Sequence, residues 1–408
     1  MNVIKRYIYN VCKEGVGAGL FFPSIFVWGV GVGCFAATLN NFMVEIHRVS
    51  GTGRGILEFF RETPGVLLIF ILAMLHKLSN WNVLRLGAAF SLLAAGLLLI
   101  PTKFMGAVIF VTIFSLGEHI VMPVRQVIAI SIARPGKEGE SQGMVTSAIS
   151  AGTVVGSLIV ACVFYALPQY FGVKEEELRI MFNTVWCIII GLLIVSVCLT
   201  LMGKVDDIKG KRPNLYFNKK YWRFYTLELF YGARKQVFLT FGPLLLIKGY
   251  DMDTKQIATL FGISALITAL FGGRLIGKIV DYFGYRNVMI YDTVILGIVC
   301  LMYGFADKIF PLHIAIWVVC INYILDMLIS HAAMAAYVYA ASLSDSKEEL
   351  TATLSSGISI NHVISVLVAL AGGVAYDKFG PGALFSFAAV MAVANTLFAT
   401  TIPRIKAK

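Results

Sequence analysis

Charge is what this 408-residue chain has least of: 34 Lys and Arg and 23 Asp and Glu make it 14% charged against 58% hydrophobic, with a mean hydropathy of +0.80. A soluble globular domain carries about 25% charged residues, so composition excludes that class. Long polar stretches are missing too, which leaves no room for the sizeable soluble domain or tail of a receptor or scaffold. The six histidines (His47, His76, His119, His313, His331, His362) are dispersed and form no HExxH. The seven cysteines show no CxxC pair, and six of them (Cys34, Cys162, Cys187, Cys198, Cys300, Cys320) sit in or beside apolar runs, as small packing residues do. A metal centre is therefore not expected, and a membrane-embedded lipid-modifying enzyme, which needs such clusters at one interface, ranks as the alternative from another class. No GxxxxGK[ST] loop occurs, which excludes direct ATP drive by this chain, and no cofactor is expected.

What the chain has is apolar length. A helix needs about 20 apolar residues to cross the hydrocarbon core, where lipid offers no partner to unpaired backbone groups. Runs of that kind fall at 20–45, 52–76, 83–101, 104–131, 143–168, 179–202, 222–248, 256–277, 288–306, 310–342, 351–375 and 381–402. They lack period-two alternation and are too long for barrel strands. The reading is an all-α integral membrane protein of twelve transmembrane helices. Residues 1–19 are mildly basic without a compact apolar core and small-residue cleavage site, so the first helix is expected to stay. With the amino terminus cytoplasmic, that side holds about 20 Lys and Arg against about 9 opposite, which predicts both termini cytoplasmic. The formal charge of +11 then reflects topology and contact with anionic lipid; nothing supports a nucleic-acid partner.

One polar segment, Lys204 to Lys220, divides the runs six and six. The expected organisation is a six-helix bundle over 1–202, a cytoplasmic basic linker over 203–220 and a second six-helix bundle over 221–408. The halves also match in order at an offset of a little over 200 residues. Lys137-Glu138 pairs with Lys347-Glu348, Ser147-Ala-Ile-Ser150 with Ser356-Gly-Ile-Ser359, Glu118 with Asp326, and Asn82-Val83 with Asn287-Val288. Duplicated halves suit a machine whose central site opens alternately to each side.

Between the eighth and ninth runs lies Gly273-Arg274-Leu-Ile-Gly277-Lys278-Ile-Val-Asp281-Tyr-Phe-Gly284-Tyr-Arg286. Its glycines would allow close helix approach, and Asp281 would cap a helix or pair with a base such as Arg286. In Gly277, Asp281, Gly284 and Arg286 the chain resembles the major facilitator superfamily of secondary transporters, whose cytoplasmic loop runs Gly-x-x-x-Asp-x-x-Gly-Arg/x-Arg; Tyr376 to Pro381 is similar to another turn of that family. The first-half copy, Leu72 to Asn82, has lost the Asp and both Gly. Gly152-Thr-Val-Val-Gly156-Ser157 keeps the glycines of the drug-efflux antiporter pattern Gly-x-x-x-Gly-Pro without its Pro, and it reads equally as a small-residue packing face.

Ionisable side chains inside a membrane helix usually face a cavity and pair. Glu58, Arg61 and Glu62 stand at i, i+3 and i+4, one stripe on the second run, and Pro64 beside them cannot donate to the carbonyl of Phe60. One arginine neutralises one carboxylate, which makes the second a proton-carrier candidate; the competing reading is a structural ion network. Glu118 and Arg125 share a face of the fourth run, with His119 beside them, and Asp326 and His331 occupy the tenth. The resemblance implies that the first, fourth, seventh and tenth helices line the cavity. Proton-coupling candidates are thus Glu62, Glu58, Glu118 and Asp326. In the seventh run Glu228, Tyr231 and Lys235 share a face, with Arg234 off it, which suits an anionic or amphipathic ligand or else an aromatic packing surface with a Glu228–Lys235 pair. Substrate-binding candidates are Arg61, Arg125, Tyr231, Glu228, Arg234, Lys235 and His331. The expected function is secondary active transport of a small organic solute, proton-coupled, by a monomer in a bacterial inner membrane; an uncoupled or sodium-coupled carrier and a drug or lipid exporter of the same fold are the alternatives.

Overall fold

The computed structural model describes residues 8, 10–12, 16–174, 177–202 and 217–403, with no side chain described for residues 16–18, 69, 273, 274, 347 and 348. Most of the expected linker, 203–216, lies outside the described residues. The described chain is helical: α1 (Val16–Asn41) continued by a π turn (Phe42–Ile46), α2 (Gly51–Val66), α3 (Leu68–Met74), α4 (Asn80–Leu98), α5 (Phe104–Ile132), α6 (Glu138–Phe171) and α7 (Leu178–Met202). Then follow α8 (Trp222–Gly249), α9 (Thr254–Ile267), a π turn (Thr268–Gly272), α10 (Gly273–Phe283), α11 (Tyr285–Ile309), α12 (Leu312–Ile329), a 3₁₀ turn (Ser330–Ala333), α13 (Met334–Leu343) and α14 (Lys347–Thr400). Among the described residues nine helices are long and apolar enough to cross a membrane. The last two runs follow one another within α14 as two helices that meet at a kink at Gly380, where φ is 79° and ψ 171°. The second run is interrupted at Leu67, one turn after Pro64, whose missing N–H removes a ladder bond there.

The chain packs as two compact units that do not follow chain order. The first comprises Met1–His47, Leu67–Arg212 and Asp253–Leu266; the second comprises Arg48–Val66, Pro213–Met252 and Ile267–Lys408. In the first, α1 lies against α6 so closely that a Cβ at Gly152 would meet the Phe26 carbonyl at 2.7 Å and one at Gly156 the Val30 carbonyl at 2.3 Å. Those two glycines are therefore a packing face, with Cys34 Sγ donating to the Gly156 carbonyl at 3.3 Å. Phe35 stacks on Phe114, with centroids 3.7 Å apart, and Phe42 meets Trp186 edge-on. A ring stack of this kind fills the unit with large apolar area and fixes helix rotation.

In the second unit α2 lies on the first arm of α14. The carboxylate of Asp377, beside the Gly380 break, accepts from the backbone N–H of Gly51 and of Thr52, both at 2.7 Å, and so caps α2. A buried cluster of Tyr221, Phe224, Met289, Ala335, Ala336 and Tyr339 holds α8, α11 and α13 together. Gly284 joins α10 to α11 at φ 76°, ψ 149°, a region open essentially to glycine alone. Gly284→Ala is expected to cost about 1–3 kcal/mol, read as a lower unfolding midpoint in detergent; Gly277→Ala, where a Cβ meets nothing within 4 Å, should leave it unchanged.

Candidate functional site

Two ion clusters are buried in the second unit. The first grows from the stripe on α2. Glu58 accepts from Arg61 Nε at 2.7 Å and from Arg54 Nη1 at 2.5 Å, while Arg61 Nη2 reaches Glu62 at 2.8 Å. Helical spacing brings these four together, since Arg54 precedes Glu58 by one turn. From α8, Lys235 Nζ stands 3.5 Å from Glu62 Oε2, and Gln236 Nε2 stands 3.5 Å from Glu58 Oε2. From α14, His362 Nδ1 lies 2.9 Å from Glu62 Oε2.

The expectation of one carboxylate in excess on α2 is thereby corrected. Two acids meet Arg54, Arg61 and Lys235, with His362 as a further donor. Arg54, at the very start of its run, lies one turn outside the stripe of Glu58, Arg61 and Glu62, and His362 is in sequence only one of six scattered histidines. Lys235 also sits within electrostatic reach of Glu228, but its ion pair is with Glu62, so the expected Glu228–Lys235 pair does not form. Glu228 is 1% exposed; its Oε2 accepts from Asn361 Nδ2 at 3.3 Å, and among the described residues its Oε1 has no hydrogen-bond partner, nor has the hydroxyl of Tyr231 one turn on.

The second cluster is where acid exceeds base. Arg234 Nη1 donates to both oxygens of Asp292, at 3.0 and 3.1 Å, and Nη2 and Nε reach a single oxygen of Asp326 at 3.2 and 3.4 Å. All three side chains are buried: Arg234 9% exposed, Asp292 3%, Asp326 8%. Two carboxylates taken from water by one guanidinium carry a net negative charge when both are ionised, a costly state in a low-dielectric interior. Asp292 went unread because it stands near the edge of its run; it is nonetheless an acid five residues past Asn287 in an apolar stretch, and that was the available signal.

The remaining candidates are placed differently. His331 lies on the 3₁₀ turn, its Nδ1 3.2 Å from the Met327 carbonyl and its ring over Gly272, apart from the Arg234 cluster. In the first unit Glu118 is half-buried on α5, and His119 is buried with Nδ1 2.8 Å from the Ser115 carbonyl. Arg125, half-buried two turns beyond Glu118, has an Nε without a hydrogen-bond partner among the described residues. In the loop motif Asp281 is exposed, and Arg286 donates to the Thr400 carbonyl instead of pairing with it. Gly277 is not at a close helix approach, so of the motif's glycines only Gly284 is required by its backbone.

A many-helix membrane bundle with buried ion clusters has counterparts among known proteins. The sequence profile of the Major Facilitator Superfamily matches residues 63–345. The chain belongs to that superfamily. Among solved structures it is similar to the nucleoside transporter NupG, with a TM-score of 0.72 at 12% identity, over 95% of this chain and 99% of that one. A POT family transporter in complex with 5-aminolevulinic acid gives 0.75 at 13% identity, covering 96% and 97%. A bacterial homolog of the human lysosomal transporter Spinster, inward-facing and unoccupied, gives 0.62 at 15% identity, covering 98% and 96%. No curated protein matches the chain in sequence. As a superfamily member with transporters for fold neighbours, the protein is an integral, multi-pass membrane transporter and not an enzyme.

Proposed function

We propose that this protein is a secondary active transporter of a small organic solute, coupled to protons and working by alternating access, with twelve spans in two six-helix halves. The count is supported by the nine apolar helices together with α2–α3, whose break at Leu67 leaves both pieces short, and α8, whose charges lower its hydropathy, and by the break that divides α14 at Gly380. The setting we propose is a bacterial inner membrane with both termini cytoplasmic, the protein acting as a monomer.

The observation that carries the proton coupling is the single arginine shared by Asp292 and Asp326. Asp292 is held through both oxygens, so Asp326, engaged through one, is the member that takes up and gives off the proton. Protonated, the cluster is neutral and tolerates exclusion of water; deprotonated, it favours hydration. A proton bound with different affinity in two states biases the equilibrium between them, which is what coupling requires. Glu118 remains a secondary carrier of this proposal, whereas Glu58 and Glu62 are compensated by Arg54, Arg61 and Lys235.

Solutes that raise the unfolding midpoint in a thermal-shift screen supply the transport assay, since binding to the folded state alone stabilises it. In liposomes holding a pH dye, a gradient of such a solute should move protons with the wild type. Asp326→Asn should stop that movement and keep solute exchange. Proton movement that persists in Asp326→Asn and in Asp292→Asn would overturn the assignment.

A further inference from the structure

Donors from three helices converge on the carboxylate of Glu62. Arg61 of α2 holds Oε1 at 2.8 Å; His362 of α14 and Lys235 of α8 hold Oε2 at 2.9 and 3.5 Å. An ionised carboxylate only accepts, so His362 Nδ1 carries the proton in that contact. The carboxylate is 3% exposed, whereas the Lys235 side chain is 38% exposed. Charge-assisted N–H···O contacts ordinarily run about 2.7–2.9 Å, so the Lys235 contact is loose. Arg61 alone is enough to keep Glu62 compensated, because the same guanidinium already bridges Glu58 and Glu62 while Arg54 serves Glu58 from the other side.

We infer that Glu62 is an internal stand-in for the carboxylate of an anionic organic solute, and that Lys235 and His362 pass from Glu62 to that solute when it binds. The inference rests on the transporter reading and deepens it by naming the substrate class; it does not depend on which ion is coupled. Releasing Lys235 breaks the longest contact in the cradle and leaves no bare charge, since Glu62 keeps Arg61. Tyr231, on the same face of α8 as Lys235, has a buried hydroxyl with no hydrogen-bond partner among the described residues and supplies a ring and a hydrogen bond for the body of the solute.

The test uses the full chain in detergent with benzoate and hexanoate as probes and benzamide and hexanamide as uncharged counterparts, binding being read by calorimetry and thermal shift. The wild type should prefer the carboxylates. Lys235→Met should lose that preference by roughly tenfold or more. Glu62→Gln, which empties the cradle, should bind carboxylates roughly tenfold more tightly than the wild type. Glu62→Asp, which keeps the charge and draws it back from Lys235, should change binding in the same direction and serves if the glutamine variant does not fold. Carboxylates bound no better than amides, or bound more weakly by both Glu62 variants, would overturn the inference. Proton movement in wild-type liposomes reads the transporter proposal separately: present without carboxylate preference, it leaves that proposal standing and removes only this one.

Discussion

Arg234→Met should destabilise the protein by about 3–5 kcal/mol, the range for stripping the partner from a buried charge, seen as a large fall in the unfolding midpoint of detergent-solubilised protein. The substitution leaves Asp292 and Asp326, 3% and 8% exposed, facing each other without a base. Packing is not the cause, because Met keeps most of the stem that Arg234 lays along α8. The triple variant Arg234→Met, Asp292→Asn, Asp326→Asn should therefore recover most of the loss, since neutral amides can hydrogen-bond where two carboxylates repel. Lys235→Met, one residue away, offers the contrast: its side chain is 38% exposed and its ion pair spans 3.5 Å, so removal should cost under about 1 kcal/mol. Equal losses from the two substitutions would mean that Arg234 is held by something other than its two aspartates.

The spans were readable because hydrocarbon imposes a length and an apolar composition that few soluble helices meet; runs 104–131 and 179–202 differ from α5 and α7 by one residue at an end. Breaks were less readable. Pro64 announced one, which falls at Leu67, but nothing in the apolar run 256–277 marked the π turn at Thr268–Gly272, because local helix geometry there depends on what the turn packs against. The turn expected at Tyr376 to Pro381 is present as a kink at Gly380, where φ 79° and ψ 171° leave the helical region and two helices meet.

Within the candidate site, what lay on one helix could be read and what lay between helices could not. Spacing correctly set Glu58, Arg61 and Glu62 on one stripe, and the same rule carried one turn back reaches Arg54. The partners supplied by α8 and α14 are 173 and 300 residues from Glu62, and no periodicity relates them. With Arg54 counted, α2 by itself is balanced, Glu58 and Glu62 against Arg54 and Arg61; Lys235 from α8, with His362 of α14 as a further donor, tips the folded cluster to basic. The partners of Arg234, a substrate-binding candidate, were hidden for the same reason. It lies off the shared face of Glu228, Tyr231 and Lys235, and that rotation aims it at Asp292 of α11 and Asp326 of α12.

Gly55→Leu should abolish carboxylate preference and solute exchange together. A Cβ at Gly55 would lie 2.3 Å from the Ala369 carbonyl of α14, and backbone cannot yield as a flexible side-chain end can. The same seam recurs one turn away, where a Cβ at Gly373 would lie 2.6 Å from the Gly51 carbonyl. Along it α2 and α14 meet backbone to backbone, and this spacing sets how far Glu62 stands from His362, two turns further along α2. Overpacking a tight contact costs about 1–3 kcal/mol, but the larger effect expected here is on the cradle. A helix pushed outward by one side chain carries Glu62 out of hydrogen-bond range of Lys235 on α8 and His362 on α14. Gly191→Leu, on an exposed face of α7 with nothing within 4 Å of its Cβ, controls for insertion and expression. Gly55→Ala should give an intermediate loss, graded by how far the added carbon moves α2. Normal carboxylate preference in Gly55→Leu would show that the cradle does not depend on the α2–α14 seam.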